Sequence, residues 1–539
     1  TPEIYTLSLH DALPISSTSE ISDKKPSGGK IQIMDSSPLH MNRIILANLI
    51  ILLVRSSLAT TYYVSPAGSD SNTGTSPETP FLKIEKAVST AVPGDTILMR
   101  GGIFKLSVTV TISKRGTAGR KYYLLAFPGE KPVLDFSSTA SGKRGISLTG
   151  DHWVFRGLSV MKAGDNGMII SGGSFNLIEN CTFSENKDSG LQLGAGAHDN
   201  LVINCDSYGN ADPPDYADAD GFAPKMDVGS NNYFYGCRAW LNCDDGWDGY
   251  LRGGNNVTTI LENCWTWRNG YLTDGSDPGS QANGNGFKMG GSDDKTLQHH
   301  FIIRNCLAFD NKSKGFDQNN NKGSMTIFNG TGFRNKGNDF SIPSTLADGQ
   351  TATVKNCLLA QGKVSLGSFV IQESNSWNGG FSVSPGDFIS LDTTGVSAPR
   401  KADGSLPEIS FAHLDPGSRL IDAGIDVGLP YLGLRPDLGC FEYRGPTVVS
   451  QRNDKNSGHF DIRLSRSGAT TIVSFNPSGR SNFSWELWSA TGRQVLKSEM
   501  EVNGSRGIIA LPGNRFSPGI YIFRISSGNK SEALKLRLH

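Results

Sequence analysis

The chain is short of several things, and each shortage excludes a class of protein. It has no net charge, since 51 basic side chains face 51 acidic ones. That balance argues against a protein that holds nucleic acid or anionic membrane through bulk electrostatics. It has no apolar run long enough to span a bilayer: the longest, Ile44 to Val54, is 11 residues, and a spanning helix needs about 20. Glycine is abundant, at 64 of 539 residues, but lacks the three-residue period of collagen. Disorder is excluded as well, because 37% of residues are hydrophobic and 26 are Phe.

The first forty residues start on Thr1, show no period and are rich in Ser, Lys and Gly. Residues 1–40 are read as a non-native leader and set aside. Residues 41–59 read as a signal peptide. Met41 and Arg43 precede the short apolar run, and Ser57-Leu58-Ala59 offers a small-residue cleavage site. The expected mature protein begins near Thr60 and is secreted or held at the cell surface.

Six of the eight cysteines share one context. Cys181, Cys205, Cys264, Cys306 and Cys357 each follow an Asn, and Cys237 follows Gly236. Five residues after the first five in chain order stand Asn186, Asn210, Asn242, Asn269 and Asn311. Gly330 takes the cysteine place in a further unit, followed by Asn335. The units are spaced by 24, 32, 27, 42 and 24 residues, as in a solenoid whose insertions become loops on one face. Each unit reads as two short strands joined by a turn, without a helical period. The expected fold is all-β, a right-handed parallel β-helix with rungs about 4.8 Å apart. The cysteines then form a small-hydrophobe column and the asparagines an amide ladder. Cys243 and Cys440 lie outside the column and leave room for one disulfide.

Two rungs carry insertions between the asparagine and the second strand, 11 residues from Asn210 to Gly221 and 17 from Asn269 to Gly286. Loops on neighbouring rungs build the walls of a groove. Aligned on Gly190, Gly221, Gly246, Gly286 and Gly315, the next residue is always large and apolar and points inward. The residue after that points to solvent. Asp248 and Lys288 fall at that outward place, Lys225 and Arg252 further along the same face, and Asp220, Asp244 and Asp245 just before the glycines. Aspartates and glycines also populate ordinary solvated turns, but here four acids share a register beside the inserted loops. Carboxylates so gathered need a cation, and hard oxygen donors without histidine suit Ca2+ better than zinc or copper.

The segments DYADADGFAPKMDVGSNNYFYGCRAWLNCDDGWDGY, from Asp215, and NGNGFKMGG, from Asn283, resemble polysaccharide lyase family 9. The resemblance runs from Tyr62 to Tyr443 and implies a pectate lyase. Asp220, Asp244, Asp245 and Asp248 match the family's calcium ligands and Lys288 its catalytic base. Lys225, Arg252 and Arg268 are candidates for binding the polymer's other carboxylates. The implied reaction removes the galacturonate C5 proton and expels the C4 oxygen by β-elimination. Calcium and desolvation would lower the pKa of Lys288, and an alkaline optimum is expected. Two alternatives use the same fold: a polygalacturonase, whose Gly-His-Gly motif is absent, and a noncatalytic adhesin, which leaves Lys288 unexplained.

Residues 60–445 are thus the expected catalytic domain, 446–459 a linker and 460–539 a small β-sandwich. ELWSATGRQV, FSPGIYIFRIS and EALKLRLH resemble the C-terminal sorting domain of type IX secretion substrates, which implies the secretion machinery as a partner. A carbohydrate-binding module is the competing reading, kept open by Trp485 and Trp488. The expected protein is a monomer acting on polygalacturonate, with no nucleic acid and no membrane span.

Overall fold

The structure is a computed structural model that describes residues 59–443 and, apart from short connections, 461–538. The leader, the apolar run and the linker lie outside the described residues.

From Thr61 to Glu373 the chain winds through three parallel sheets, one of 12 strands and two of 10. Each turn visits the first sheet, then the third, then the second, as in Val257–Glu262, Trp265–Trp267, Phe287–Lys288 and back to His299–Arg304. Every pairing in these sheets is parallel and joins one coil to the next, which makes the domain a parallel β-helix. A seven-residue helix, Ile84–Thr90, buries Ile84, Ala87 and Val88 against its first coils.

The repeated Asn-Cys pair has a physical origin. The residue before each cysteine turns the chain from the first sheet to the third with positive φ, 54° at Asn180, 53° at Asn204 and 54° at Asn263. Asn tolerates that left-handed region better than other side chains, and Gly does so freely. That is why Gly236, at φ 63°, can replace it. The cysteines behind these turns are buried, and all eight in the chain are free thiols. There is therefore no disulfide, and the core comes from stacked side chains alone.

The amide ladder forms at the turn between the third and second sheets. Asn186, Asn210, Asn242, Asn269 and Asn311 each donate from Nδ2 to Oδ1 of the next rung's amide, at 2.8–2.9 Å, ending on Asn335. Asn335 passes the ladder to Asp339. A second ladder, Asn176 to Asn200 to Asn232, enters the first sheet at 3.0 Å per step; its members stand five residues before Cys181, Cys205 and Cys237. Inside the coil Phe222, Trp247, Phe287, Phe316 and Phe340 stack with centroids 4.8–5.1 Å apart.

The segment after Glu373 does more than close the last rung. It returns along the outer face of the third sheet, where Val396 and Phe411 cover Trp265, Trp267, Leu307, Phe309 and Phe333. Arg400 reaches Asp206 at 2.7 Å, and Arg238 donates to the carbonyls of Val396 and Ala398. The outward residues of those strands are apolar, so the sheet needs cover on both faces.

The C-terminal part, taken by itself, is a β-sandwich of a three-stranded and a four-stranded antiparallel sheet. Val473, Phe475, Ile509 and Leu511 of one face Phe483, Leu487, Phe523 and Ile525 of the other. Trp485 is buried against Phe523, with centroids 5.6 Å apart, so it offers no open platform to a sugar. Among the described residues no helix is long and apolar enough to cross a membrane.

Candidate metal centre and base

The second sheet carries the site. Its strands pair Phe222 with Trp247, Asp248 with Lys288, and Lys288 with Asp317, so the acid and the lysine occupy one column on successive rungs. Asp220 and Asp245 stand one residue before that column's glycines, at the turn from the third sheet. A side chain at Gly246 would strike Thr266 Oγ1 and come 2.6 Å from the Gly286 carbonyl. The repeated Asp-Gly and Asn-Gly pairs therefore let adjacent turns approach closely, which brings their carboxylates together.

The structure gathers all five residues expected at the core of the site. One carboxylate oxygen from each of Asp220, Asp244 and Asp245 lies within 4.8 Å of the others. Lys288 Nζ is 3.0 Å from Asp245 Oδ2 and 3.3 Å from Asp248 Oδ1. These side chains leave the coil on its outer side, yet they are not solvated as their register predicts: Asp248 is 4% exposed and Lys288 8%. They crowd one another, and both inserted loops reach into the cluster.

The loops hold the carboxylates. Asn283 N donates to Asp244 Oδ1 at 2.6 Å, and Asn285 N and Nδ2 both donate to Asp245 Oδ1. Asp220 accepts from Ser189 Oγ at 3.1 Å through Oδ2 and from Asp245 N at 3.1 Å through Oδ1. Tyr250 N donates to Asp248 Oδ1. Ser189 shares Asp220's place one rung earlier, but neither it nor Asn285 is marked by charge, which is why both escape sequence reasoning.

Lys225 is brought into the cluster rather than toward an open groove. Its Nζ sits 2.7 Å from Asp220 Oδ2 and 3.7 Å from Asp248 Oδ2, donates to the Asp218 carbonyl, and is buried. Arg252 and Arg268 are exposed. Arg252 pairs with Asp293 at 3.0 Å, and Arg268 lies beside Gly275 of the longer inserted loop.

Electrostatics follow from this crowding. Burial and neighbouring carboxylates push Asp220 and Asp244 well above the ordinary range, and burial pushes Asp245 up. Burial also acts upward on Asp248, but Lys288 and Lys225 outweigh it and hold that carboxyl low. For Lys288 burial favours the neutral amine, yet Asp245, Asp248, Asp244 and Asp220 prevail and drive it well above its usual value. The sequence reading expects a lowered value once calcium offsets these carboxylates.

The donor set fits a hard divalent cation. Four carboxylates against two lysines leave a formal surplus of two negative charges in a buried space. Asp245 Oδ2 is buried and receives no hydrogen bond, since the Lys288 ammonium beside it is out of alignment for one. Its other oxygen is committed to Asn285. An unbonded carboxylate oxygen among other carboxylates, without histidine or thiolate, matches the oxygen shell of Ca2+.

Residues 62–356 match the family model described as "Pel9A-like, right handed beta helix region". The chain is 39% identical over 395 residues to pectate lyase L of Dickeya chrysanthemi, covering 71% of this chain and 90% of that one. Against pectate lyase L of Paenibacillus polymyxa the identity is 40% over 392 residues, covering 68% and 84%. The solved structure of pectate lyase Pel9A superposes with a TM-score of 0.66 at 36% identity, covering 72% of this chain and 98% of that one.

Proposed function

Because the chain belongs to the Pel9A-like right-handed β-helix family, we propose that it is a calcium-dependent pectate lyase, exported to act on polygalacturonate. The observation that carries this reading is Lys288 in strand register with Asp248 and 3.0 Å from Asp245, inside a buried cluster of four aspartates.

Asp220, Asp244, Asp245 and Asp248 would hold the calcium ion, with Asn283 and Asn285 fixing the orientation of two of them. When bound, the ion supplies Lewis-acid stabilisation of the negative charge that develops on the substrate carboxylate. Lys288 takes the C5 proton as its amine form. The electron pair left on carbon forms the C4–C5 double bond, the C4–oxygen bond breaks, and the departing oxygen is protonated from solvent. Lys225 acts through the cage, as a fixed internal cation against Asp220 and Asp248. Arg252 and Arg268 are the exposed cations available to the polymer.

Around this domain, residues 41–59 serve as the export signal, and the sandwich of residues 460–539 serves as the sorting domain read by a type IX secretion machinery. The buried Trp485 weighs against the carbohydrate-binding alternative.

The test is ultraviolet absorbance of the unsaturated product on polygalacturonate. The signal is expected with Ca2+, lost with EDTA and restored by excess Ca2+. Full formation of unsaturated product in EDTA would overturn the calcium dependence, and reducing ends without unsaturation would point to a hydrolase instead.

A further inference from the structure

We propose that Arg252, set on Tyr250 and tethered by Asp293, reads the carboxylate of a uronate unit adjacent to the one cleaved. The proposal rests on the lyase reading and assigns a specificity residue to the same groove.

Its basis is the strand that leaves the cage. Trp247 and Leu251 are wholly buried in the coil, so the alternation of a strand sends Asp248, Tyr250 and Arg252 outward in sequence. Asp248 joins the cage. The Tyr250 ring lies next to the base, with Lys288 Nζ 5.6 Å from its centroid, and the Arg252 guanidinium lies 5.5 Å from the same centroid. One half-buried aromatic ring thus adjoins both the proposed base and an exposed cation.

The existing contacts suit exchange. Tyr250 Oη donates to Asp293 Oδ1 at 2.8 Å, and Arg252 Nε donates to both Asp293 oxygens at 3.0 and 3.2 Å. All these bonds from Arg252 leave through Nε. The terminal fork, whose geometry matches a carboxylate, is outside that contact. The Arg252–Asp293 pair is more than half exposed on both sides, 56% and 65%, and such pairs contribute little. An incoming carboxylate can therefore be added or exchanged at small cost. Lys225, by contrast, is committed to buried aspartates and would have to abandon them.

The experiment compares Arg252→Gln and Arg252→Lys with the wild-type full chain in saturating Ca2+. On polygalacturonate, Arg252→Gln is expected to raise KM about tenfold or more, since a charge-assisted hydrogen bond is lost, with kcat changed less than twofold. Arg252→Lys should recover part of the loss. On partly methyl-esterified pectin the variant-to-wild-type KM ratio should shrink, because the recognised charge is masked. Calorimetry of an oligogalacturonate on Lys288→Ala and on Lys288→Ala/Arg252→Gln should show the same weakening without turnover. An unchanged KM in an active enzyme, a loss confined to kcat, or an equal ratio on esterified substrate would overturn the proposal. A wild-type protein that neither binds the oligogalacturonate nor forms unsaturated product would instead overturn the lyase reading itself.

Discussion

Lys225 and His299 show how much a single buried side chain decides. Lys225 is a cation placed permanently among carboxylates, and removing one partner of a buried ion pair costs about 3–5 kcal/mol. Lys225→Met is therefore expected to lower the urea midpoint in EDTA. Added Ca2+ should recover more stability in the variant than in the wild type, because the ion then meets a larger uncompensated charge. Equal midpoints in EDTA would place Lys225 outside the electrostatics of the cage. His299 is wholly buried, donates from Nδ1 to the Gly249 carbonyl, and accepts at Nε2 from Thr259 Oγ1. It thereby fixes the residue after Asp248 from inside the coil. Burial lowers its pKa from 6.5 to about 4, so the folded state binds fewer protons than the unfolded one between those values. Its stabilisation is complete above pH 6.5 and fades as pH falls toward 4, by up to about 3 kcal/mol. Urea titrations across that window should show the slope in the wild type and a shallower one in His299→Gln.

At the scale of elements, the rung is the unit, and its ladders are what stack it. Asn269 accepts from Asn242 and donates to Asn311 and Thr266, all in the buried turn. Asn269→Ala strands polar groups on both neighbours, each worth about 1–3 kcal/mol when left unpaired. A loss of about 3 kcal/mol in chemical denaturation is expected, and a loss below 1 kcal/mol would show that the ladder is not a source of stability. This ladder was legible in the sequence because Asn recurs at a fixed offset from Cys. So was the outward column of Asp248 and Lys288, since strand alternation is strict. The second ladder was written there too, with Asn176, Asn200 and Asn232 five residues before Cys181, Cys205 and Cys237, but it covers too few rungs to stand out. Burial of the site was also hidden. Register tells which way Lys288 points, but not that Asn283, Asn285 and the Asp218 carbonyl rise from inserted loops onto Asp244, Asp245 and Lys225. The role of Lys225 escaped for the same reason: its side of the sheet was readable, its partners were not. The returning segment over the third sheet had the outward Trp265, Trp267, Leu307, Phe309 and Phe333 to announce it, and apolar residues on three strands do not say what covers them.

For the whole molecule, zero net charge and a polyanionic substrate are reconciled locally. The chain carries no general attraction for polygalacturonate, so recognition has to be concentrated where the second sheet brings cations and the proposed metal site together. The same architecture explains how a chain without disulfides can hold that site: three sheets, stacked aromatics and amide ladders make a rigid face, and two loops add the specific contacts. Central to the account is that Lys288 is the base and the aspartates are the metal cage, two roles in one cluster. Calcium calorimetry and product absorbance measured together on Lys288→Ala test this most directly. The account predicts that unsaturated product falls by about 10²–10⁴-fold, the range for loss of a general base, while the variant stays folded and binds Ca2+ at least as tightly as the wild type. Retained turnover, or turnover lost only in step with Ca2+ binding, would contradict it.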